Sequence, residues 1–316
     1  MTVQPPQAQQ EASPRRTRQR TKQLRELLTD SPHALPAPAD HDADKAKNAL
    51  VEELPDRLPA SLTRLPRKDH QLLLKKQVYL RTYEVEIPRD FRVCTTAVQA
   101  SLVFAQEEAG TAVCVSLEGL LLTCSHCVAE TEDELDYEKI HWLLFADGRV
   151  VGAKCVLWDM RRDLALLRIV SAQSPSQDTS LEGTPHGFPY AALADEPPSI
   201  DARLVCIGHP GSEDLEAAEP SVKTDYDVLH LSTGAFRGYA DGQDLQDSSE
   251  IGALMHDCWT YWGHSGAPIL DRRSGRLIGL HSSWDDQTAM RRGIPLEAIR
   301  AFLQPFDLGL DNGRIE

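Results

Sequence analysis

From about residue 92 onward, the chain is a succession of short apolar runs, each four to eight residues long and separated by turn signals. Examples are "TAVCVS", "LLLTC", "LALLRIV", "ARLVCIG" and "RLIGLHSS". Runs of this length are typical of β-strands, because helices that pack on a core usually need longer segments with a 3.6-residue period. The pattern therefore predicts an all-β barrel or sandwich rather than alternating strands and helices.

The first 90 residues differ from the rest of the chain in amino-acid composition. Residues 1–20 and 30–48 are rich in Pro, Gln, Ala, Ser and charged side chains, a composition typical of disorder. We therefore predict a flexible, basic N-terminal extension over 1–90 and one folded domain over 91–316. Within the domain, "IPLEAIRAFL" predicts a short C-terminal helix that begins after Pro295.

Charge is distributed unevenly between these two parts. Residues 1–90 carry 16 Lys/Arg and 13 Asp/Glu, a net of +3, whereas residues 91–316 carry 17 and 35, a net of −18. The acidic domain makes nucleic acid an unfavourable ligand for it. The extension contains a basic cluster, formed by Arg15, Arg16, Arg18, Arg20 and Lys22. Three interpretations are open: a nuclear localisation signal, an anion-binding patch, or a solvated tail without a specific function.

Features of the sequence also bear on the compartment. The N-terminal stretch is polar, without the apolar core of a secretory signal, and no 18 apolar residues run together. The chain has seven cysteines, an odd number, which favours reduced thiols. We expect a cytoplasmic or nuclear protein without a membrane span.

Three polar residues sit near the ends of apolar runs. His126 comes soon after "LLLTC", Asp163 immediately precedes "LALLRIV", and Ser265 lies in a Gly-flanked turn before "GAPIL". Hydrolysis of an amide by serine needs a hydroxyl, a base that takes its proton and a carboxylate that orients the base. Each residue alone is a weak signal, but the three in this order and in these local patterns favour nucleophilic catalysis.

The segments "LLLTCSHCV", "RDLALLRI" and "GHSGAP" resemble the three signatures of the chymotrypsin-like serine peptidases. The sequence between them resembles the HtrA-type and glutamyl-endopeptidase branches, as in "GTAVCVSLEGLLLTCSHCV" and "ADEPPSIDARLVCIGHPG". The resemblance covers roughly residues 97–305. It implies an all-β fold of two six-stranded antiparallel β-barrels, with the active site in the crevice between them, and it implies serine endopeptidase activity on a polypeptide substrate.

The resemblance also implies roles for individual residues. His126 would be the general base and then the acid, Asp163 its orienter and Ser265 the nucleophile. The backbone N–H groups of Gly263 and Ser265 would form the oxyanion hole. His264 stands where digestive members have the aspartate that a freshly cut N-terminus activates, so this activation route is not expected.

The predicted substrate pocket is formed by Trp259, Thr260 and His281. Six residues before the serine stands Trp259 rather than an aspartate, so nothing there supports a preference for Lys or Arg. Thr260 and His281 resemble the threonine and histidine with which glutamyl endopeptidases bind a substrate carboxylate, since both side chains can donate to an anion. A small or aliphatic preference, with Thr260 and His281 satisfied inside the barrel, is the alternative.

The cysteines invite a metal interpretation that their spacing does not support. "CSHC" at 124–127 and "HDC" at 256–258 contain zinc-ligand residue types, but no second pair follows at a regular spacing. We therefore predict buried free thiols, with no metal and no cofactor. The alternative function is a catalytically silent module that keeps the barrel and binds peptides in its cleft.

Overall fold

The computed structural model describes residues 51–83, 85–106, 110–175, 187–211, 217, 219 and 222–306. The segments predicted to be disordered, residues 1–20 and 30–48, and the basic cluster lie outside the described residues. Over these described ranges, no helix is both long and apolar enough to cross a membrane.

Thirteen strands and four α-helices make up the described chain. The strands are β1 (Glu52–Leu54), β2 (Ser101–Phe104), β3 (Thr111–Cys114), β4 (Leu120–Thr123), β5 (His141–Phe145), β6 (Val150–Asp159), β7 (Leu164–Gln173), β8 (Arg203–Gly208), β9 (His230–Tyr239), β10 (Leu254–His256), β11 (Pro268–Asp271), β12 (Leu277–Trp284) and β13 (Arg291–Pro295). The α-helices are α1 (Ala60–Thr63), α2 (Arg67–Thr82), α3 (Thr95–Gln99) and α4 (Leu296–Leu303). Short 3-10 turns span Arg89–Cys94, Ser125–Cys127 and Glu132–Glu134.

The first barrel runs in the order β7-β4-β3-β2-β5-β6 and closes where β6 pairs with β7. All six pairings are antiparallel. The ladder between β6 and β7 shifts register at two places, between Gly152 and Ala153 and between Cys155 and Leu157. Such irregularities bend and twist a strand, which a sheet of only six strands needs in order to close on itself. Strands β2 to β5 are buried at every position, so they read as continuous apolar runs.

The second barrel is closed in the order β10-β13-β12-β11-β8-β9, again with antiparallel neighbours. Helix α4 follows β13 directly and buries its apolar face, with Ile299 and Phe302 among the covered side chains. The predicted fold class is therefore confirmed: two six-stranded antiparallel β-barrels and a short C-terminal helix.

Residues 51–82 are packed against the first barrel, which differs from the predicted flexible extension. Strand β1 adds in parallel to β7, with Glu52 opposite Ser171. On α2, the Lys76 ammonium is buried and donates to the carbonyls of Phe104 (2.9 Å) and Gln106 (3.1 Å). The boundary at residue 90 remains a prediction, but the ordered structure begins well before it. The buried face of α2 mixes polar side chains, Lys76 and Gln77, with the core residues Leu73 and Leu80, so its sequence has no continuous apolar stripe that would reveal the packing.

A chain shortened to begin at residue 91 should be less stable than one beginning at residue 51. The truncation removes the Gln77 amide from Gly148 and Gln173 and removes the Thr63 carbonyl that accepts from the Trp142 indole. Each buried polar group left without its partner costs about 1–3 kcal/mol, so we expect the free energy of unfolding to fall by at least about 3 kcal/mol. Urea unfolding of both chains measures it; equal midpoints and slopes would contradict the prediction.

Candidate active site

His126 and Asp163 are joined by a hydrogen bond at one end of the first barrel. The His126 Nδ1 and Asp163 Oδ1 atoms are 2.8 Å apart. His126 lies in the 3-10 turn after β4, and Asp163 immediately precedes β7. Because β4 and β7 are antiparallel neighbours, with Thr123 opposite Ala165, the end of one and the start of the other meet. The His126 side chain is 30% exposed, whereas that of Asp163 is only 5% exposed. The imidazole is therefore accessible to solvent, while the carboxylate that it contacts is buried.

The Asp163 carboxylate is held by donors on both of its oxygens. The Ser125 hydroxyl donates to Oδ1 (3.0 Å), and the Ser282 hydroxyl donates to Oδ2 (2.7 Å). Asp163 also has a left-handed backbone, with φ of 54°, a conformation that aspartate tolerates better than most residues. These contacts fix the carboxylate in the one orientation that keeps Oδ1 on the imidazole.

Ser265 lies in a tight turn between β10 and β11 that depends on two glycines. Gly263 and Gly266 have φ of 96° and 82°, which only glycine adopts without strain. A Cβ on Gly263 would lie 2.5 Å from the His209 carbonyl oxygen, and one on Gly266 would clash with the Thr111 carbonyl. Backbone of both barrels therefore packs closely against the turn, which explains why the sequence has "GHSGA" here.

The two barrels meet at this turn. The Thr111 amide, on β3 of the first barrel, donates to the Ser265 carbonyl (2.8 Å), and the Cys127 thiol lies 3.6 Å from the same oxygen. The Ser265 hydroxyl donates to the carbonyl of Ser282 (3.3 Å), whose own hydroxyl holds Asp163. Ser282 on β12 thus links the predicted serine to the histidine–aspartate pair across the junction.

The predicted oxyanion-hole amides are available to a ligand. Within the residues that the structure describes, neither the Gly263 amide nor the Ser265 amide donates to a backbone carbonyl. The neighbouring amides are engaged, since His264 donates to Tyr261 and Gly266 donates to His281. Two free N–H groups two residues apart in one turn are the arrangement that can stabilise a developing negative charge on oxygen.

His264, which has no role predicted from the sequence, packs beneath the turn. It is completely buried, and its ring meets those of Trp259 (5.5 Å between centroids) and His281 (6.4 Å) edge to face. Its Nδ1 lies 3.1 Å from both the amide nitrogen and the carbonyl oxygen of Tyr261. Burial lowers the pKa of His264 to about 3, so the ring is neutral and serves as a core side chain.

Of the three predicted pocket residues, Trp259 and His281 contact this buried ring. Thr260 and His281 are buried, and the His281 Nδ1 lies 3.1 Å from the Nε2 of His256. Burial holds the pKa of His281 well below its usual range. Trp259 is half-buried within a cluster of rings whose other members are Tyr226, His230 and Tyr261. Their assignment to a substrate pocket stays a prediction.

A wide surface groove of about 990 Å³ lies elsewhere on the second barrel, between residues 194–203 and 271–278. Its lining includes Arg203, Arg272 and Arg273 but none of the predicted site residues. We favour the barrel junction as the functional site, because the hydrogen-bonded histidine–aspartate pair and the glycine-flanked serine turn meet there. The groove brings together no such chemistry among the residues that line it.

Ser282 and Ser125 are functional candidates that the sequence analysis missed. A serine is common at strand ends, and only the fold shows that these two hydroxyls meet the Asp163 carboxylate. The available signal was "HSS" at the end of an apolar run, which places polar side chains where β12 emerges from the core.

Comparison with known proteins points to one family. The chain matches the family described as "Trypsin-like peptidase domain" over residues 110–280. Among solved structures, it is similar to the crystal structure of the serine endoprotease from Yersinia pestis, with 18% sequence identity and a TM-score of 0.46 over 70% of this chain and 67% of that one. No curated protein matches the chain.

Proposed function

Because the chain belongs to the trypsin-like peptidase family, we propose that this peptidase is a serine endopeptidase with His126, Asp163 and Ser265 as its catalytic triad. The family supports peptide-bond hydrolysis on a polypeptide substrate. The observation that carries the triad assignment is the 2.8 Å hydrogen bond between His126 and Asp163, which lies beside the glycine-flanked turn of Ser265.

In the proposed reaction, His126 accepts the Ser265 proton at Nε2 while its Nδ1–H donates to Asp163 Oδ1. For this step the Ser265 hydroxyl rotates away from the Ser282 carbonyl, to which it now donates. The serine oxygen then attacks the substrate carbonyl, and the amides of Gly263 and Ser265 stabilise the oxyanion. His126 returns the proton to the leaving amine, and water hydrolyses the acyl-enzyme by the same sequence of transfers.

We also propose that the enzyme needs no cut N-terminus to become active. His264 occupies the position next to the nucleophile, and its Nδ1 contacts the backbone of Tyr261 within the core. A neutral buried imidazole offers no negative charge with which a new terminal ammonium could pair. The turn is therefore held by packing rather than by an ion pair formed on activation.

The proposed pocket is formed by Trp259, Thr260 and His281. A carboxylate on the substrate would favour a protonated His281, but burial keeps that ring neutral in the free protein. An acidic preference should therefore strengthen as the pH falls, whereas a small or aliphatic preference should not change. A peptide-library cleavage profile at two pH values separates the two.

An intracellular setting, cytoplasmic or nuclear, is part of the proposal. All seven cysteines are free thiols, and six of them are buried. The Cys127 thiol lies beside the Cys124 thiol, and the two are not joined in a disulfide. Thiols of this kind persist where the surroundings are reducing.

The direct test is covalent labelling by a fluorophosphonate probe. We expect one labelled residue, Ser265, identified by mass spectrometry, and no labelling of the Ser265→Ala variant. Ser274→Ala, at an exposed serine, is the matched control and should label like the unchanged protein. A folded protein that never reacts, yet binds peptides, would favour the silent peptide-binding module.

Ser282 should act as a positioning residue for Asp163. Ser282→Ala removes a hydrogen bond to a charged group, worth about 1.5–3 kcal/mol, so kcat should fall about 10- to 100-fold. KM should change little, because the hydroxyl orients the aspartate rather than the substrate. Steady-state kinetics measure both, with the neighbouring Ser283→Ala as control. An equal loss in both variants would show that the effect is structural only.

A further inference from the structure

Cys124 lies directly beside the histidine–aspartate pair. Its thiol, a ring nitrogen of His126 and a carboxylate oxygen of Asp163 all lie within 4.8 Å of one another. We propose that these three side chains bind a soft divalent metal ion, Zn²⁺ or Cd²⁺, and that the bound ion reversibly inhibits the enzyme. The inhibition rests on the proposed peptidase function, whereas the metal binding does not.

The three donor types select the class of metal. Thiolate, imidazole and carboxylate are the ligands that Zn²⁺ takes in proteins, whereas Mg²⁺ and Ca²⁺ prefer oxygen alone. A thiolate and a carboxylate together carry two negative charges, so they neutralise a divalent cation. Neutrality matters here because Cys124 and Asp163 are buried, and an uncompensated charge at that depth would be costly.

The side chains need only small movements to enclose an ion. With bonds of about 2.0–2.1 Å, tetrahedral zinc separates a nitrogen and an oxygen ligand by about 3.3 Å. His126 Nδ1 and Asp163 Oδ1 are now 2.8 Å apart, so the imidazole would move outward by about half an ångström. The ring has room for this, since 30% of the His126 side chain is exposed. The Cys124 thiol would turn from the His281 carbonyl, which it now meets at 3.4 Å.

The Asp163 carboxylate is already held in a fixed orientation by the hydroxyl of Ser282. Asp163 Oδ2 accepts from the Ser282 hydroxyl at 2.7 Å, which leaves Oδ1 directed toward His126. Groups that fix a ligand in this way raise metal affinity, because less order has to be imposed when the ion binds. The Ser125 hydroxyl, 3.0 Å from Oδ1, would remain beside the occupied oxygen.

The protons account for the inhibition. In the free protein, His126 donates from Nδ1 to Asp163, and Cys124 carries its thiol proton. The ion takes the Nδ1 position, the ring proton moves from Nδ1 to Nε2 by exchange with water, and the thiol proton leaves for the solvent, so one proton is released with each ion bound. With Nε2 protonated, His126 cannot accept the proton of Ser265, so hydrolysis stops until the ion dissociates.

The experiment is a Cd²⁺ titration of the full chain under reducing conditions, followed by the thiolate-to-cadmium charge-transfer absorption in the ultraviolet. Zn²⁺ inhibition of peptide hydrolysis is measured in parallel. We expect Cys124→Ser to weaken binding at least about 100-fold and to remove the absorption band, since even the loss of a group that only supports a ligand costs 10- to 100-fold. Cys155→Ala, at another buried thiol, is the matched control and should change neither readout.

His126→Ala provides a second variant, because its partly exposed side chain can be removed without opening the core. It should weaken Cd²⁺ binding although it has no activity to inhibit. Unchanged Cd²⁺ affinity in Cys124→Ser or in His126→Ala would overturn the metal site. If the protein shows no peptidase activity but its cadmium band depends on both residues, the metal site stands and the peptidase proposal fails.

Discussion

Ser265→Ala should lower kcat by about 10⁶-fold, the scale of loss that follows removal of the nucleophile in a serine peptidase. The substitution removes one oxygen, which donates a hydrogen bond to the Ser282 carbonyl on β12. The two glycines and the Thr111 contact that shape the turn involve backbone, so the fold should be preserved. Single-turnover cleavage of a peptide substrate measures the change.

Two controls make this result specific. Circular dichroism and urea unfolding should be the same for Ser265→Ala as for the unchanged protein. His126→Ala should lose about as much activity as Ser265→Ala, and the double variant little more, because the residues act as one unit. A folded Ser265→Ala protein that still cleaves at the original rate would remove the serine from the mechanism.

Acid should unfold the protein through its buried histidines. Burial lowers the pKa of His256 and His264 to about 3 and that of His141 to about 4. In the unfolded chain these rings titrate near 6.5, so their neutral burial contributes full stability above that pH. As the pH falls from 6.5 toward 3–4, these histidines bind protons in the unfolded state but not in the folded state, so the free energy of unfolding decreases.

The expected loss is large. Each such histidine costs about 1.4 kcal/mol per pH unit below 6.5, so the three together remove about 6 kcal/mol at pH 5. This is comparable with the whole stability of a typical domain, about 5–15 kcal/mol. We therefore expect cooperative unfolding between about pH 5 and pH 4, visible in tryptophan fluorescence.

His256→Gln supplies the comparison for the acid transition. The glutamine amide can still donate to the His281 Nδ1, which His256 now meets at 3.1 Å, but it does not titrate. The unfolding midpoint of this variant should move to lower pH. An unchanged midpoint, or a protein that stays folded at pH 3, would show that the buried imidazoles are not the titrating groups.

The sequence predicts the all-β class well because the strands are signalled locally, whereas the division into two barrels is implied by the family resemblance. Runs such as "TAVCVS" and "LLLTC" are long enough for a strand and too short for a helix, so the class of fold follows from length alone. His126, Asp163 and Ser265 are signalled in the same way, since each lies near the beginning or end of an apolar run, and their catalytic roles stay a prediction. What could not be predicted depends on contacts between distant segments.

Two residues show this limit clearly. Ser282 holds Asp163, 119 positions earlier in the chain, and nothing near either residue encodes the contact. From the sequence alone, Lys76 would be expected to be a solvated cation on a polar helix. In the structure its ammonium is buried and donates to the carbonyls of Phe104 and Gln106. Both interactions are specified by tertiary packing, which neither periodicity nor composition reports.

The division of the proposed triad between two barrels has a consequence for biosynthesis. His126 and Asp163 belong to the first barrel, whereas Ser265 and the Ser282 that braces Asp163 belong to the second. A chain emerging from the ribosome completes the first barrel while the nucleophile is still unmade. Proteolytic capacity therefore arises late, only when both barrels have folded and met, so an incomplete chain cannot digest itself or its neighbours during synthesis.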